Sequence, residues 1–211
     1  MERAILLHAS LAPGLVPAWA ARLLEALPYA RRLQLEGADA AVRTASLAGV
    51  ALALAGSART AGVPARIADL QLHDGQKPRF ASGPYFSVSH TNDRVACVTC
   101  DGVDVGLDIE TAPPAGGGST RTLLQWTATE ATLKAAGTGL RRIGDVRVDV
   151  DGLVSEMDGR CYLLREVRLA THTFGHVAAA KHLDLDIEVL ALDSVEVSAA
   201  LQRALGLPAQ R

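Results

Sequence analysis

Four side chains near the middle of the chain hold most of its chemical potential. Asp108 and Glu110 lie in Val105-Gly106-Leu107-Asp108-Ile109-Glu110. Glu130 and Lys134 lie in Trp126-Thr127-Ala128-Thr129-Glu130-Ala131-Thr132-Leu133-Lys134. Three carboxylates and a cation, if brought together, suit a magnesium-dependent reaction at a pyrophosphate. Mg²⁺ prefers oxygen ligands and shares its shell with substrate phosphates and water. A carboxylate at such a site can also accept a proton.

The elements that must position these groups can be read from periodicity. Val103, Val105, Leu107 and Ile109 alternate with Asp104, Gly106, Asp108 and Glu110, which predicts a half-buried strand over 103–110. Asp108 and Glu110 then project from one face. Gly106 shares that face and leaves room for a ligand to approach the backbone. The same alternation also describes an ordinary solvated polar face. Trp126, Glu130 and Lys134 are spaced four apart and share one face of a helix expected over 122–137, with Gly137 and Gly139 ending it. On its own, that helix offers only a surface Glu–Lys pair worth about 0.2–0.5 kcal/mol.

Two patches precede these elements. Gly75-Gln76-Lys77-Pro78-Arg79-Phe80 is a turn carrying two cations, and Phe86-Ser87-Val88-Ser89-His90-Thr91 is a strand ending in hydroxyls and a histidine. The order is therefore basic turn, Ser-His strand end, Gly-x-Asp-x-Glu strand and Trp-x-x-x-Glu-x-x-x-Lys helix, closed by Gly137-Thr138-Gly139-Leu140. In this order the chain resembles the 4'-phosphopantetheinyl transferases of the type that activates peptide and polyketide synthetases, over about residues 75–140. The resemblance implies transfer of the phosphopantetheine group of coenzyme A to a serine of an apo acyl or peptidyl carrier protein, with release of adenosine 3',5'-bisphosphate.

Residue by residue, the resemblance implies that Asp108, Glu110 and Glu130 hold Mg²⁺. Asp108, Glu130 and Lys134 would form the catalytic set, with Glu130 taking the serine proton directly or through water. Lys134 would contact the pyrophosphate, while Lys77, Ser89 and His90 contact coenzyme A phosphates. Arg43, in Arg43-Thr44-Ala45-Ser46-Leu47-Ala48-Gly49, would meet the coenzyme's 3'-phosphate, with Arg31 and Arg32 as further candidates. Trp126 is expected to position its helix by packing. The implied fold is α+β, a pseudo-twofold pair of similar halves with the active site at their seam. Residues 1–112 form the first half, 113–120 a linker and 121–211 the second half. The sequence departs from the family at Thr129, where a lysine is usual, and at the wholly apolar stretch 50–55. It departs again in the short, low-complexity link after Glu110, where the family carries a segment near its carrier-docking surface. Two other readings stay open: a non-catalytic coenzyme A-binding protein on the same fold, and a metal-dependent phosphohydrolase.

Composition narrows the classes. The chain has 211 residues, 49% hydrophobic and 21% charged, with net charge −2, which is ordinary for a globular protein. No global basic field points to nucleic acid, and aromatics at 4% leave few stacking platforms for single strands. Three cysteines cannot pair completely. Cys97 and Cys100, at an odd spacing on a predicted strand, should face opposite sides as buried free thiols. His172 and His176 fall in a strand-like stretch with no third ligand nearby, and a structural role is expected. His8, Pro13 and Pro17 interrupt the apolar stretch 4–20, which reads as a strand then a helix rather than a signal peptide. The apolar stretch 45–55 is too short to span a membrane. A cytoplasmic monomer is the default expectation.

The remaining elements follow from the same rules. A strand is expected over 4–9 and helices over 17–27 and 38–55, with 65–72 ambiguous. Strands are expected over 85–90, 95–100 and 103–110, the last two joined as a tight hairpin at Asp101-Gly102. A meander over 146–150, 153–156, 162–170 and 172–180 turns at Asp151-Gly152 and Asp158-Gly159. A final strand over 188–192 and a helix over 194–205 complete the chain.

Overall fold

A computed structural model of the chain describes residues 1–11, 17–62, 65–72, 76–112 and 120–206. Gly75 of the basic turn and residues 113–119 of the expected linker lie outside the described residues. The elements in chain order begin with β1 (Glu2–Ser10), α1 (Ala20–Ala26), α2 (Tyr29–Glu36), α3 (Ala40–Ala61), β2 (Leu70–Gln71) and β3 (Arg79–Phe80). They continue with β4 (Tyr85–His90), β5 (Arg94–Cys100), β6 (Val105–Thr111), α4 (Thr120–Ala136), β7 (Arg147–Val148) and β8 (Val154–Met157). The last are β9 (Arg160–Arg168), β10 (Thr173–Ala179), β11 (Leu183–Val189) and α5 (Val195–Ala204). The class is α+β.

Two large sheets carry the fold, in the orders β11-β1-β5-β4 and β6-β10-β9-β8-β7, and β2 and β3 pair separately. Each large sheet takes in a strand from the other end of the chain. β6 pairs antiparallel with β10, and β11 pairs parallel with β1. The hairpin expected at Asp101-Gly102 does not form: β5 and β6 belong to different sheets. The reason is an occupied edge. β5 is hydrogen-bonded by β1 on one side and β4 on the other, so β6 must find another partner and crosses to the free edge of β10. The expected Asp158-Gly159 turn does join β8 to β9, with both residues at positive φ (52° and 70°), the backbone that Asp-Gly accepts in a two-residue hairpin.

The middle of α3, over 47–56, is apolar on all sides and packs within the core, as such a stretch must. Gly49 and Gly56 let it lie close to the first sheet: a Cβ at Gly49 would come 2.6 Å from Val88 Cγ1, and one at Gly56 2.7 Å from Thr99 Cγ2. α3 is longer than expected, and among the described residues it is the one helix long and apolar enough to cross a membrane, with 61% of its most apolar window buried inside the protein. α2 was not anticipated. Its buried residue is Leu35, while Arg31 bonds across to Ser46 on α3 at 2.7 Å. α5 begins at Ser194, whose hydroxyl accepts from the Val197 amide at 3.3 Å. It is clamped to α3 by Arg59, which bonds both oxygens of Glu196 and also Glu188. Cys97 and Cys100 are free, buried, and face different core clusters.

Candidate active site

The site forms where α4 lies on β6. Gly106 makes that approach possible: a Cβ there would overlap the Ala131 carbonyl oxygen and the Ala135 amide nitrogen. The space at Gly106 is thus taken by the helix, which corrects the expectation that a ligand uses it. Ala128, Ala131, Leu133 and Ala135 of α4 are buried with Met157, Tyr162, Leu164 and Ala178. This packing fixes the rotation of the helix, so Glu130 and Lys134, one turn apart, point at the polar row of β6.

Asp108 is the centre of the group, with 3% of its surface exposed. Lys134 Nζ lies 2.6 Å from its Oδ1, and the Ser89 hydroxyl donates to the same oxygen at 3.0 Å. Lys134 Nζ is also 3.4 Å from Ser89 Oγ and 3.8 Å from Glu130 Oε2. Ser89 Oγ in turn accepts from the Ile109 amide at 3.2 Å, and Ser87 Oγ accepts from the Leu107 amide at 3.0 Å. The Ser-x-Ser strand therefore stitches the end of one sheet to the first strand of the other.

The electrostatics follow from three acids around one lysine. Burial, then the neighbouring Asp108, pushes Glu130 up to about 7, with Lys134 partly opposing. Burial and Asp108 also raise Glu110 above the usual carboxylate range. Burial, then Lys134, lowers His90. Oδ2 of Asp108 is buried without a hydrogen-bond partner. A proton on Glu130, whose pKa is raised in part by a hydrogen bond to Asp108, can be shared with that carboxylate, and a bound cation is the other way to balance the cluster.

Mg²⁺ is one such cation. Among the described residues, no three His, Cys, Asp or Glu side chains form a ready-made metal cage. Magnesium does not require one, since it commonly takes one or two carboxylates and completes its shell with phosphates and water.

No family model and no curated protein matches this sequence. The geometry of the site itself therefore carries the functional reading.

One cavity touches the group at Lys134, and a second meets the first at Lys77. The first, of about 320 Å³, is bounded by Lys134, Lys77, Phe86, Val88 and Leu133, and the second, of about 620 Å³, by Lys77, Arg79, Phe80, Tyr85 and Asp104. Lys77 lines both, yet its ammonium is held by the Asp104 carboxylate and by the Val105 carbonyl at 2.6 Å. Burial pulls its pKa down, while Asp104 opposes. Asp104 was not singled out from the sequence, and nothing local in the sequence links it to a residue 27 positions earlier. Arg43 stands apart on α3, donating to the Ala38 carbonyl at 3.3 Å. Among the described residues, none of Arg31, Arg32 and Arg43 bonds to a member of the Asp108 group. Trp126, expected to pack, is 41% exposed.

His176, expected to be purely structural, lies beside the site. It is paired opposite Asp108 in the β6–β10 register and is 4% exposed. Its Nδ1 is 2.8 Å from Thr127 Oγ1, and that hydroxyl is 3.1 Å from the Leu124 carbonyl. A carbonyl can only accept. The hydroxyl therefore donates to Leu124 and accepts from Nδ1–H, which leaves Nε2 of His176 as a bare acceptor. Burial lowers the His176 pKa, against the opposing pull of Glu166 and Asp108. The only clue in the sequence was an even-numbered place on a strand, which does not reveal the partner strand.

Proposed function

We propose that this chain is a Mg²⁺-dependent 4'-phosphopantetheinyl transferase that moves the phosphopantetheine group of coenzyme A to a serine of an acyl or peptidyl carrier protein. The observation that carries the reading is Lys134, held between Asp108 and Glu130 at the edge of a cavity. A cation among acids, beside a space for ligand, suits a pyrophosphate and a metal better than it suits an ordinary surface pair.

Asp108, Glu110 and Glu130 would supply the metal's carboxylates, one or two of them directly, since the three do not stand as a ready-made group. The bound metal would supply charge neutralisation for the phosphoryl oxygens and the leaving group. Glu130, with a pKa of about 7, is poised to accept the proton of the attacking serine near neutral pH. The serine oxygen forms a bond to the phosphorus bearing the pantetheine arm. The bond from that phosphorus to the adenosine bisphosphate oxygen breaks, and the proton passes to Glu130. Lys134 steadies the pyrophosphate as a point charge. The apolar walls given by Phe86, Val88 and Leu133 suit part of the coenzyme, with Lys77 in the adjoining cleft. Ser89 orients Asp108, and His90 borders the phosphates.

The exchange of β6 and β11 between the two large sheets supports reading the fold as two similar α+β halves about a pseudo-twofold axis, with the site at their seam. We take the protein to act as a cytoplasmic monomer with no role in nucleic-acid binding. A second reading, a coenzyme A binder without turnover, is favoured by Thr129. Its hydroxyl is spent on the Gln125 carbonyl at 2.8 Å and offers no charge to a phosphate.

Intact mass spectrometry of apo carrier proteins incubated with the chain, coenzyme A and Mg²⁺ tests both. A gain of one phosphopantetheine group, lost with Glu130→Ala, supports the transferase. No gain on any carrier, together with measurable coenzyme A binding, supports the second reading.

A further inference from the structure

A separate cavity of about 290 Å³ lies between the N-terminal part of α4 and the turn joining β7 to β8, with Glu166 and His176 in its wall. Its polar side chains are Asp149, Asp151, Glu166 and His176, which offer acceptors, and Gln125, whose carboxamide both donates and accepts. Nε2 of His176 is a bare acceptor by the hydrogen-bond chain through Thr127 and Leu124, on a side chain that is 4% exposed. The Glu166 and Asp151 carboxylates, both on exposed residues, line the same space. Asp149 serves the rim instead. Its Oδ1 accepts from the Leu153 and Val154 amides at 2.8 and 3.2 Å and so fixes the turn. Leu124, Val148 and Leu153 supply apolar wall, and Leu153 is 62% exposed.

We propose that this cavity binds an aliphatic cation, an ammonium or guanidinium group on a short apolar stem. Two carboxylates and an imidazole nitrogen, against the single Gln125 carboxamide that can also donate, favour a cationic head, and the leucine and valine walls call for methylenes leading to it. The volume lies just under the range of about 300–1,000 Å³ typical of drug-sized sites, and matches one extended chain. Such a cation can come from a free amine or from an arginine or lysine side chain of a partner protein. Because His176 lies opposite Asp108 across β6–β10, an occupant would sit one residue pair away from the candidate active site.

NMR of the full chain tests this, following the His176 imidazole nitrogens and the Gly152 amide during titration with agmatine, with n-butanol as the neutral control. The expected result is a saturable shift with agmatine, at a Kd of about 1 mM, and none with butanol. Glu166→Gln and Asp151→Asn should each weaken binding about tenfold while leaving the amide spectrum elsewhere unchanged. Equal response to butanol, no saturation by about 10 mM agmatine, or undiminished binding in both variants would overturn the proposal. An acetylated, amidated Ala-Arg-Ala peptide separates the sources. Binding at least as tight as agmatine assigns the cation to a partner protein, and binding by agmatine alone assigns it to a small molecule. The readout is independent of transferase activity, so it stands or falls apart from that reading.

Discussion

Lys134 reaches from α4 to Asp108 on β6, with its Nζ 2.6 Å from Oδ1 of a residue that is 3% exposed. The relationship is unequal: the lysine side chain keeps 31% of its surface, while the aspartate side chain keeps 5%. The aspartate is the partner shut away from water, and Lys134 supplies the positive charge beside it.

Lys134→Ala should therefore reduce stability, contrary to what an exposed helix pair would suggest. The expected loss is about 1–3 kcal/mol, the cost of leaving a buried charged group short of a partner. Asp108→Asn in the same chain should recover most of that loss, because the uncompensated charge is gone. Urea denaturation of the wild type, both single variants and the double variant measures the coupling. Additive losses would mean that the two side chains act independently.

Gly106→Ala should be far more damaging than its chemistry suggests. The new methyl would overlap backbone atoms of Ala131 and Ala135, and a helix backbone cannot swing aside as a side chain can. A loss of about 3 kcal/mol is expected, at the upper end for overpacking. α4 should lift from β6 and carry Glu130 and Lys134 away from Asp108. Thermal unfolding reads the first effect and coenzyme A binding the second. Gly144→Ala, where a Cβ meets nothing within 4 Å, serves as control, with a change within about 0.5 kcal/mol. Similar behaviour of the two variants would remove Gly106 from its role as helix seat.

Glu130 predicts two pH dependences. Its pKa is raised in the folded chain to about 7, so the folded state holds its proton more tightly than the unfolded state. The resulting stability is fully present below the ordinary glutamate range and is lost as pH rises through about 7. Wild-type stability should consequently fall across that window relative to Glu130→Gln, which has no proton to lose. Transfer activity should move the opposite way, rising through about pH 7 as the base becomes free. Higher Mg²⁺ should shift that rise to lower pH, because metal and proton compete for the carboxylate. Chemical denaturation and kcat/KM against pH check the two trends. A stability profile identical in wild type and Glu130→Gln would remove the first, and a flat rate profile would remove the second.

Much of this architecture was legible residue by residue. The strand of Asp108, the helix of Glu130 and Lys134, the Ser89 strand, the Asp158-Gly159 turn and the capped terminal helix all stand within a few residues of expectation. Other features were not legible. The Asp101-Gly102 pair looks like a hairpin turn yet carries the chain between sheets, because β5 has no free edge. Lys77 looks like a free cation and is held by Asp104. Trp126 looks like a packing residue and is exposed.

The sequence by itself determined the kind of most elements, α2 excepted, and the side from which Asp108, Glu110 and Glu130 project. Those properties come from the two-residue repeat of a strand and the 3.6-residue repeat of a helix, which neighbouring residues set locally. Only the tertiary structure decided that β6 leaves β5 for β10, that Gly106 seats α4, and that His176 stands opposite Asp108. Each of these depends on which edge is free and which backbone can approach closely, conditions created by segments far away in the chain.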